Sequence, residues 1–248
     1  MLKTLEILKS NSIRTLVPPF SLPITHMLVT TESIVLRARK QGETSKIVTL
    51  YTREFGKVNV IAKGAREMKS KFGGALEMFA RSSVVFYKRE KHDALNLLSK
   101  AEIVDSHGGI LRSLKKMEAA TAVLELVLHA MHDEEENQEL FELLAGTLET
   151  ISGQEEDNAP SFQMRFYLEF TKLMGFEIDL DRTVGMSPKL LTQLQLLGEE
   201  PPDAQLPVHR WNDKEFDQLQ SFFQSYFAEH LPGISLRSLK SSRVFGQL

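Results

Sequence analysis

The chain of 248 residues has no cysteine. That excludes disulfides, iron–sulfur clusters and any zinc site built on thiolates, and it fits a reducing cytoplasm. No stretch of 18 consecutive apolar residues occurs, so nothing reads as a transmembrane helix. Internal repeats and low-complexity segments are also absent. The segment Gly64-Ala65-Arg66-Glu67-Met68-Lys69-Ser70 has the Lys-Ser of a phosphate loop but not the glycine that must precede it, which argues against a nucleotide-binding Walker site. What remains is a chain with 42% hydrophobic and 25% charged residues, enough for one large or two ordinary globular domains.

The formal net charge of −3 conceals a strong asymmetry. Residues 28–116 hold 18 Lys and Arg against 9 Asp and Glu; residues 117–248 hold 9 against 23. Such a split argues for two modules with different partners, the alternative being mutual neutralisation across their interface. Residues 1–27, broken by Lys3, Glu6, Lys9, Arg14 and Pro18-Pro19, read as a poorly ordered extension, with Met27 as an alternative start.

The front of the chain has β periodicity. Alternating runs over 33–39, 46–52 and 56–63 predict three strands, with 82–87 and 95–104 as the fourth and fifth. Gly56 stands where the hairpin turn after the second strand needs positive φ. Five short strands with a longer insertion (64–79) after the third suit an OB-fold β-barrel, and the count also fits an SH3-like barrel. After His107-Gly108-Gly109 the period becomes helical. A long apolar helix over 110–131 is expected at the centre of a bundle. A second helix follows, capped by Asn137; a third carries Phe162, Phe166, Phe170 and Leu173 up to Gly175. Ser187-Pro188 opens another, closed at Gly198; Asn212 caps one running to about 230, and Ser235 caps one over 236–245. The expected architecture is α+β, with domains 28–107 (barrel) and 108–248 (all-α).

Cations crowd the strands and the loop after the third. A basic barrel of this kind is suited to holding the phosphate backbone of a nucleic acid. The candidate contacts are Arg37, Arg39, Lys46, Lys57, Lys63, Arg66, Lys69 and Lys71. Alternation places Arg37 and Arg39 on one face of their strand, with Ile34, Leu36 and Ala38 on the other as core. Tyr51, Phe55 and Phe72 are candidates for base stacking, with core packing the competing role. No catalytic constellation is legible. His129, His132 and Glu136 fall at helical spacing but lie between an apolar face and a solvated acidic run, and no metal is expected there.

The order and spacing of several elements resemble the RecO family of bacterial recombination mediators. These are Gly42-Glu43-Thr44, Ala62-Lys63-Gly64-Ala65-Arg66, Ser70, Gly74-Ala75-Leu76, Leu124-Glu125-Leu126, Leu140-Phe141, Leu143-Leu144, Arg165-Phe166, Gly175-Phe176, Leu180-Asp181-Arg182 and Ser242-Arg243. The resemblance implies an OB barrel that binds single- and double-stranded DNA, and a helical domain that binds partners. It implies DNA repair by recombination in the bacterial cytoplasm, at the nucleoid. The steps are annealing of complementary strands coated by single-strand-binding protein and, with RecR, loading of a RecA-type recombinase. No covalent chemistry and no cofactor are implied. The helical domain of that family receives the acidic tail of the single-strand-binding protein. Here the cations beside apolar residues are Arg165, Phe166, Phe170 and Lys172, with Arg237, Lys240 and Arg243 as a second group. Many family members carry a Cys-x-x-Cys pair directly after Leu-Asp-Arg. Here Arg182 is followed by Thr183-Val184-Gly185-Met186, so the zinc-ribbon insertion is lost or shortened and packing must replace the metal. The barrel alone does not distinguish DNA from RNA, so an RNA-binding OB protein is the second reading, and a metal- or nucleotide-dependent enzyme the third.

Overall fold

The computed structural model describes residues 27–89, 95–183, 185–199, 211–233 and 236. Five strands come first: β1 (Met27–Gln41), β2 (Ser45–Thr52), β3 (Gly56–Ala62), β4 (Arg81–Lys88) and β5 (Asn96–Asp105). They close into a barrel in the order β1-β2-β3-β5-β4. β1 pairs with β4 through its first half and with β2 through its second, and β3 meets β5 in parallel at Val60↔Asn96 and Ile61↔Leu97. This is OB connectivity, with the 3-10 turn Gly73–Leu76 inside the long β3–β4 connection, and it removes the SH3-like alternative. β1 starts well before the expected position 33. Its early residues pair with β4, from Met27↔Lys88 to Ile34↔Arg81, although Thr31-Glu32-Ser33 obscures their apolar pattern.

A β-bulge between Val35 and Arg37 corrects the expected division of faces. Ile34, Val35 and Leu36 are all buried, in two different cores. Val35 joins Val48, Leu50, Val58, Val60, Val84 and Phe86 inside the barrel. Ile34 and Leu36 point the other way and join the helices, while Ala38 is exposed. The part of the outer wall that bears Ile34, Leu36 and Tyr51 is therefore itself a core surface.

The helical half contains α1 (Leu114–Ala130), α2 (Gln138–Gly153), α3 (Ala159–Leu173), α4 (Pro188–Glu199) and α5 (Asp213–His230). Ser113 and Asn137 accept hydrogen bonds from the first turns of α1 and α2, and Asn212 with Glu215 forms a capping box on α5. Gly198 lies within α4 instead of ending it. The most enclosed helix is α3, buried on every side from 161 to 168, where the apolar pattern pointed to the first long helix. Tyr167 on α3 packs its ring 5.1 Å from Phe223 and 5.2 Å from Phe227 of α5. At the position of the zinc insertion stands a short 3-10 turn, Leu180–Arg182. It is held by an Asp179–Arg182 ion pair and by Gln195 Nε2 donating to Asp181 Oδ1 at 3.0 Å; nearby, Tyr226 donates to the Phe176 carbonyl at 2.8 Å. Hydrogen bonds and ring packing hold this segment together. The last expected helix, 236–245, lies outside the described residues apart from Leu236, which is buried in the helical core.

Candidate nucleic-acid interface

The two ends of the barrel differ. At one end the β2–β3 turn and the outer wall near it meet the helices. Tyr51 is fully buried in the helical core, with its hydroxyl 3.4 Å from the Asn137 carbonyl. Burial pushes that phenol well above its ordinary pKa. Arg53 reaches Glu142 of α2, stacks over the Phe141 ring at 4.6 Å and donates to Glu32 at 2.7 Å. Glu32 also accepts from Arg81 at 2.8 Å; these two guanidinium bonds, Arg81 first, hold its carboxyl below the usual range. Gly56 has φ of 58°, as its turn position required, and its Cα abuts the Glu135 backbone so closely that a methyl would collide with that carbonyl.

Lys57 belongs to this end, which corrects its assignment as a nucleic-acid contact. Its ammonium donates to the carbonyls of Leu128 (3.0 Å) and Met131 (2.5 Å) and lies 3.3 Å from Asp133. It caps the C-terminus of α1, where the orphan carbonyls and the negative end of the helix dipole favour a cation. Local sequence gave no signal for this, because the capped helix lies about 70 residues downstream.

At the other end, the β1–β2 turn (42–44), the last residues of β3 and the loop 64–72 come together. Arg66 ties them: its backbone N–H donates to Thr44 O at 2.9 Å and its Nη1 to Gly42 O at 2.9 Å. Gly64 takes φ of 73° where the chain leaves β3. Around this junction Arg37, Arg39, Lys40, Lys63, Arg66, Lys69 and Lys71 are exposed. Apart from Arg66, none of these has an ion pair or hydrogen-bonded side-chain partner among the described residues; Lys71 lies over the Phe72 ring at 5.1 Å. Lys46 is more enclosed and pairs with Glu77 at 2.8 Å. Register places Arg37 opposite Thr49 and Arg39 opposite Ile47, so both guanidinium groups rise from the outer wall on the side that continues to Asn59 and Ile61 of β3. Lys40 lies opposite Lys46 at the mouth of the barrel. The arrangement is an open cationic end with a backbone-built rim, able to neutralise several phosphates at once.

The aromatic candidates are not part of that surface. Tyr51 and Phe72 are core residues, and Phe55 is half-buried, edge-on to Phe86 at 6.1 Å and covered by Lys88 at 4.9 Å. In the helical half, Phe166 and Phe170 stack on each other within the core, and Arg165, at 8% exposure, already has an interaction partner. Their i, i+4 spacing is therefore the inner stripe of α3, which corrects their assignment as a docking surface. Lys172 alone of that group is exposed, at a shallow groove of about 460 Å³ with Glu139, Leu143, Glu169 and Leu173. Arg237, Lys240 and Arg243 lie outside the described residues.

Residues 27–107 match the family "Recombination protein O N terminal" and residues 111–192 match "Recombination protein O C terminal". The chain is 38% identical over 160 residues to the DNA repair protein RecO of Geobacter metallireducens, an alignment covering 64% of each protein. It is 33% identical over 189 residues to the RecO of Chlorobium phaeobacteroides, covering 73% of this chain and 72% of that one. With the RecO of Chloroherpeton thalassium it shares 32% identity over 261 positions, 90% of this chain and 99% of the relative. With both halves matched in order, the chain belongs to the recombination protein O (RecO) family.

Proposed function

We propose that the chain is a DNA-binding mediator of recombinational repair that holds strands on the cationic end of its barrel and anneals complementary ones. The observation that carries this reading is the group of exposed cations with no ion pair among the described residues, Arg37, Arg39, Lys40, Lys63, Lys69 and Lys71, around a rim fixed by Arg66. Annealing needs no nucleophile or general base. It needs two polyanions brought together with their repulsion lowered, and cations that release counterions on contact do that. Lys46 joins the set when a phosphate competes with Glu77 for its ammonium. Lys57 does not.

Family membership supports the wider role: work in the bacterial cytoplasm on strands coated by single-strand-binding protein, in concert with RecR, to load a RecA-type recombinase. Phe166 and Phe170, buried in the helical core, offer no dock for the tail of the single-strand-binding protein. The groove at Lys172 sets two carboxylates, Glu139 and Glu169, against one ammonium, which disfavours an acidic peptide.

The test is charge reversal of Lys63, Lys69 and Lys71 together, leaving Arg66 to hold the loop. For the wild-type chain, about six phosphate contacts give a slope of log K against log salt near −4 on single strands. The triple variant should lose about half of that slope and its annealing activity while its far-UV circular dichroism is unchanged. A variant that folds and anneals like the parent overturns the reading. Competition between matched DNA and RNA strands decides between the DNA-binding and RNA-binding readings.

A further inference from the structure

OB barrels receive oligonucleotides on the face of their second and third strands, and in this chain that outer wall continues onto β1. In this chain half of it is already covered. Asp133 runs beside Lys57 as a one-residue parallel bridge, and the Glu134 N–H donates to the Lys57 carbonyl at 2.9 Å. Asn59 Nδ2 donates to Asp133 Oδ2 at 3.1 Å, Lys57 lies 3.3 Å from Asp133, and Lys88 lies 3.3 Å from Glu134. The α1–α2 connection thus sets Asp133 against Lys57 and Asn59 of β3 and turns Glu134 to Lys88 at the end of β4. Glu134 takes φ of 61°, a left-handed conformation uncommon for a residue with a side chain and one that persists only where its surroundings hold it.

We propose that this acidic turn is an intramolecular stand-in for a nucleic-acid strand. It closes the half of the wall bearing Tyr51, Lys57 and Asn59, and confines bound DNA to the half bearing Arg37, Arg39, Thr49 and Ile61. Its carboxylates meet the barrel cations Lys57 and Lys88 as phosphates would, and its own charge repels a strand lying further down the wall. A strand then crosses the upper wall toward the rim at Lys63, Lys69 and Lys71. This inference rests on the DNA-binding reading above and adds where on the barrel the strand lies.

The experiment compares the full chain with the variants Glu134→Gln and Asp133→Asn/Glu134→Gln, using a photo-crosslinking single-stranded oligonucleotide and a salt titration. The single variant keeps the Lys57–Asp133 pair and guards against misfolding of the double one. In the wild type, crosslinks should fall on β1 and the loop 64–72, and be absent from 57–59. In the double variant the footprint should extend to Asn59, and in both variants the salt slope should steepen by about 0.7 for each cation released. Lys88 is released first, because Lys57 also holds two carbonyls. Wild-type crosslinks at 57–59, or variants with the parental slope and footprint, overturn this inference alone. A wild-type chain that binds no DNA overturns the functional reading and this inference together.

Discussion

Tyr51 and Glu32 show how differently two side chains of one barrel wall can be used. Tyr51 alternates correctly for an outward aromatic, yet it is fully buried under the helices. Tyr51→Phe should leave DNA affinity unchanged and cost no more than about 1 kcal/mol, since the bond to Asn137 is long. Equilibrium urea unfolding and a binding titration read both. Glu32 is held between Arg81 and Arg53, and its carboxyl titrates below the unfolded value near 4.5. A carboxyl with a lowered folded pKa adds stability that is complete above its unfolded value and disappears as pH falls through the folded one. Thermal unfolding from pH 6 down to pH 3 should therefore show a loss in the wild type that Glu32→Gln reduces. An equal pH dependence in the two proteins would remove Glu32 from the account.

At the scale of elements, turns decide which surfaces are open. The turn at 53–56 must bend sharply and also let the backbone at Glu135 pass against it, and glycine satisfies both demands. Gly56→Ala should cost at least ~1–2 kcal/mol from backbone strain alone, and more from the collision with Glu135. A lowered urea midpoint, together with faster amide exchange in residues 133–136, is the expected result. Most of the elements were legible beforehand. Alternation located all five strands, and Asn137 and Asn212 marked helix starts that the structure keeps. The first half of β1 was not, because its pairing to β4 tolerates Thr31, Glu32 and Ser33 in a way that apolar counting does not register. The cationic loop was visible as a run of basic residues, whereas the tie that Arg66 makes to Gly42 and Thr44 required the fold.

For the whole molecule, part of the charge asymmetry is neutralised where barrel and helices meet. Arg53, Lys57 and Lys88 neutralise Glu142, Asp133 and Glu134 across the barrel–helix boundary, while the cations at the far end remain open. That boundary is also apolar: Ile34, Leu36, Tyr51 and Phe79 of the barrel half belong to the helical core. Barrel and helices should consequently unfold as one unit. Calorimetry should give a single transition with matching calorimetric and van't Hoff enthalpies, and two resolved transitions would contradict the shared core. A barrel cut free at residue 107 would expose those four side chains, and should be less soluble than the intact chain.

Period and punctuation along the chain were enough to specify a five-stranded barrel, an all-α second half, and a basic front joined to an acidic rear. These are local properties, expressed within a few residues of where they are encoded. Which cations are engaged, which aromatic rings are buried and which wall of the barrel is covered depend on residues between 46 (Lys88 and Glu134) and 89 (Arg53 and Glu142) positions apart. Those meet only when helix ends dock on the barrel. Lys57 and Lys63 look alike in a basic strand; the carbonyls of Leu128 and Met131, brought to one of them and not the other, make one a helix cap and leave the other facing solvent.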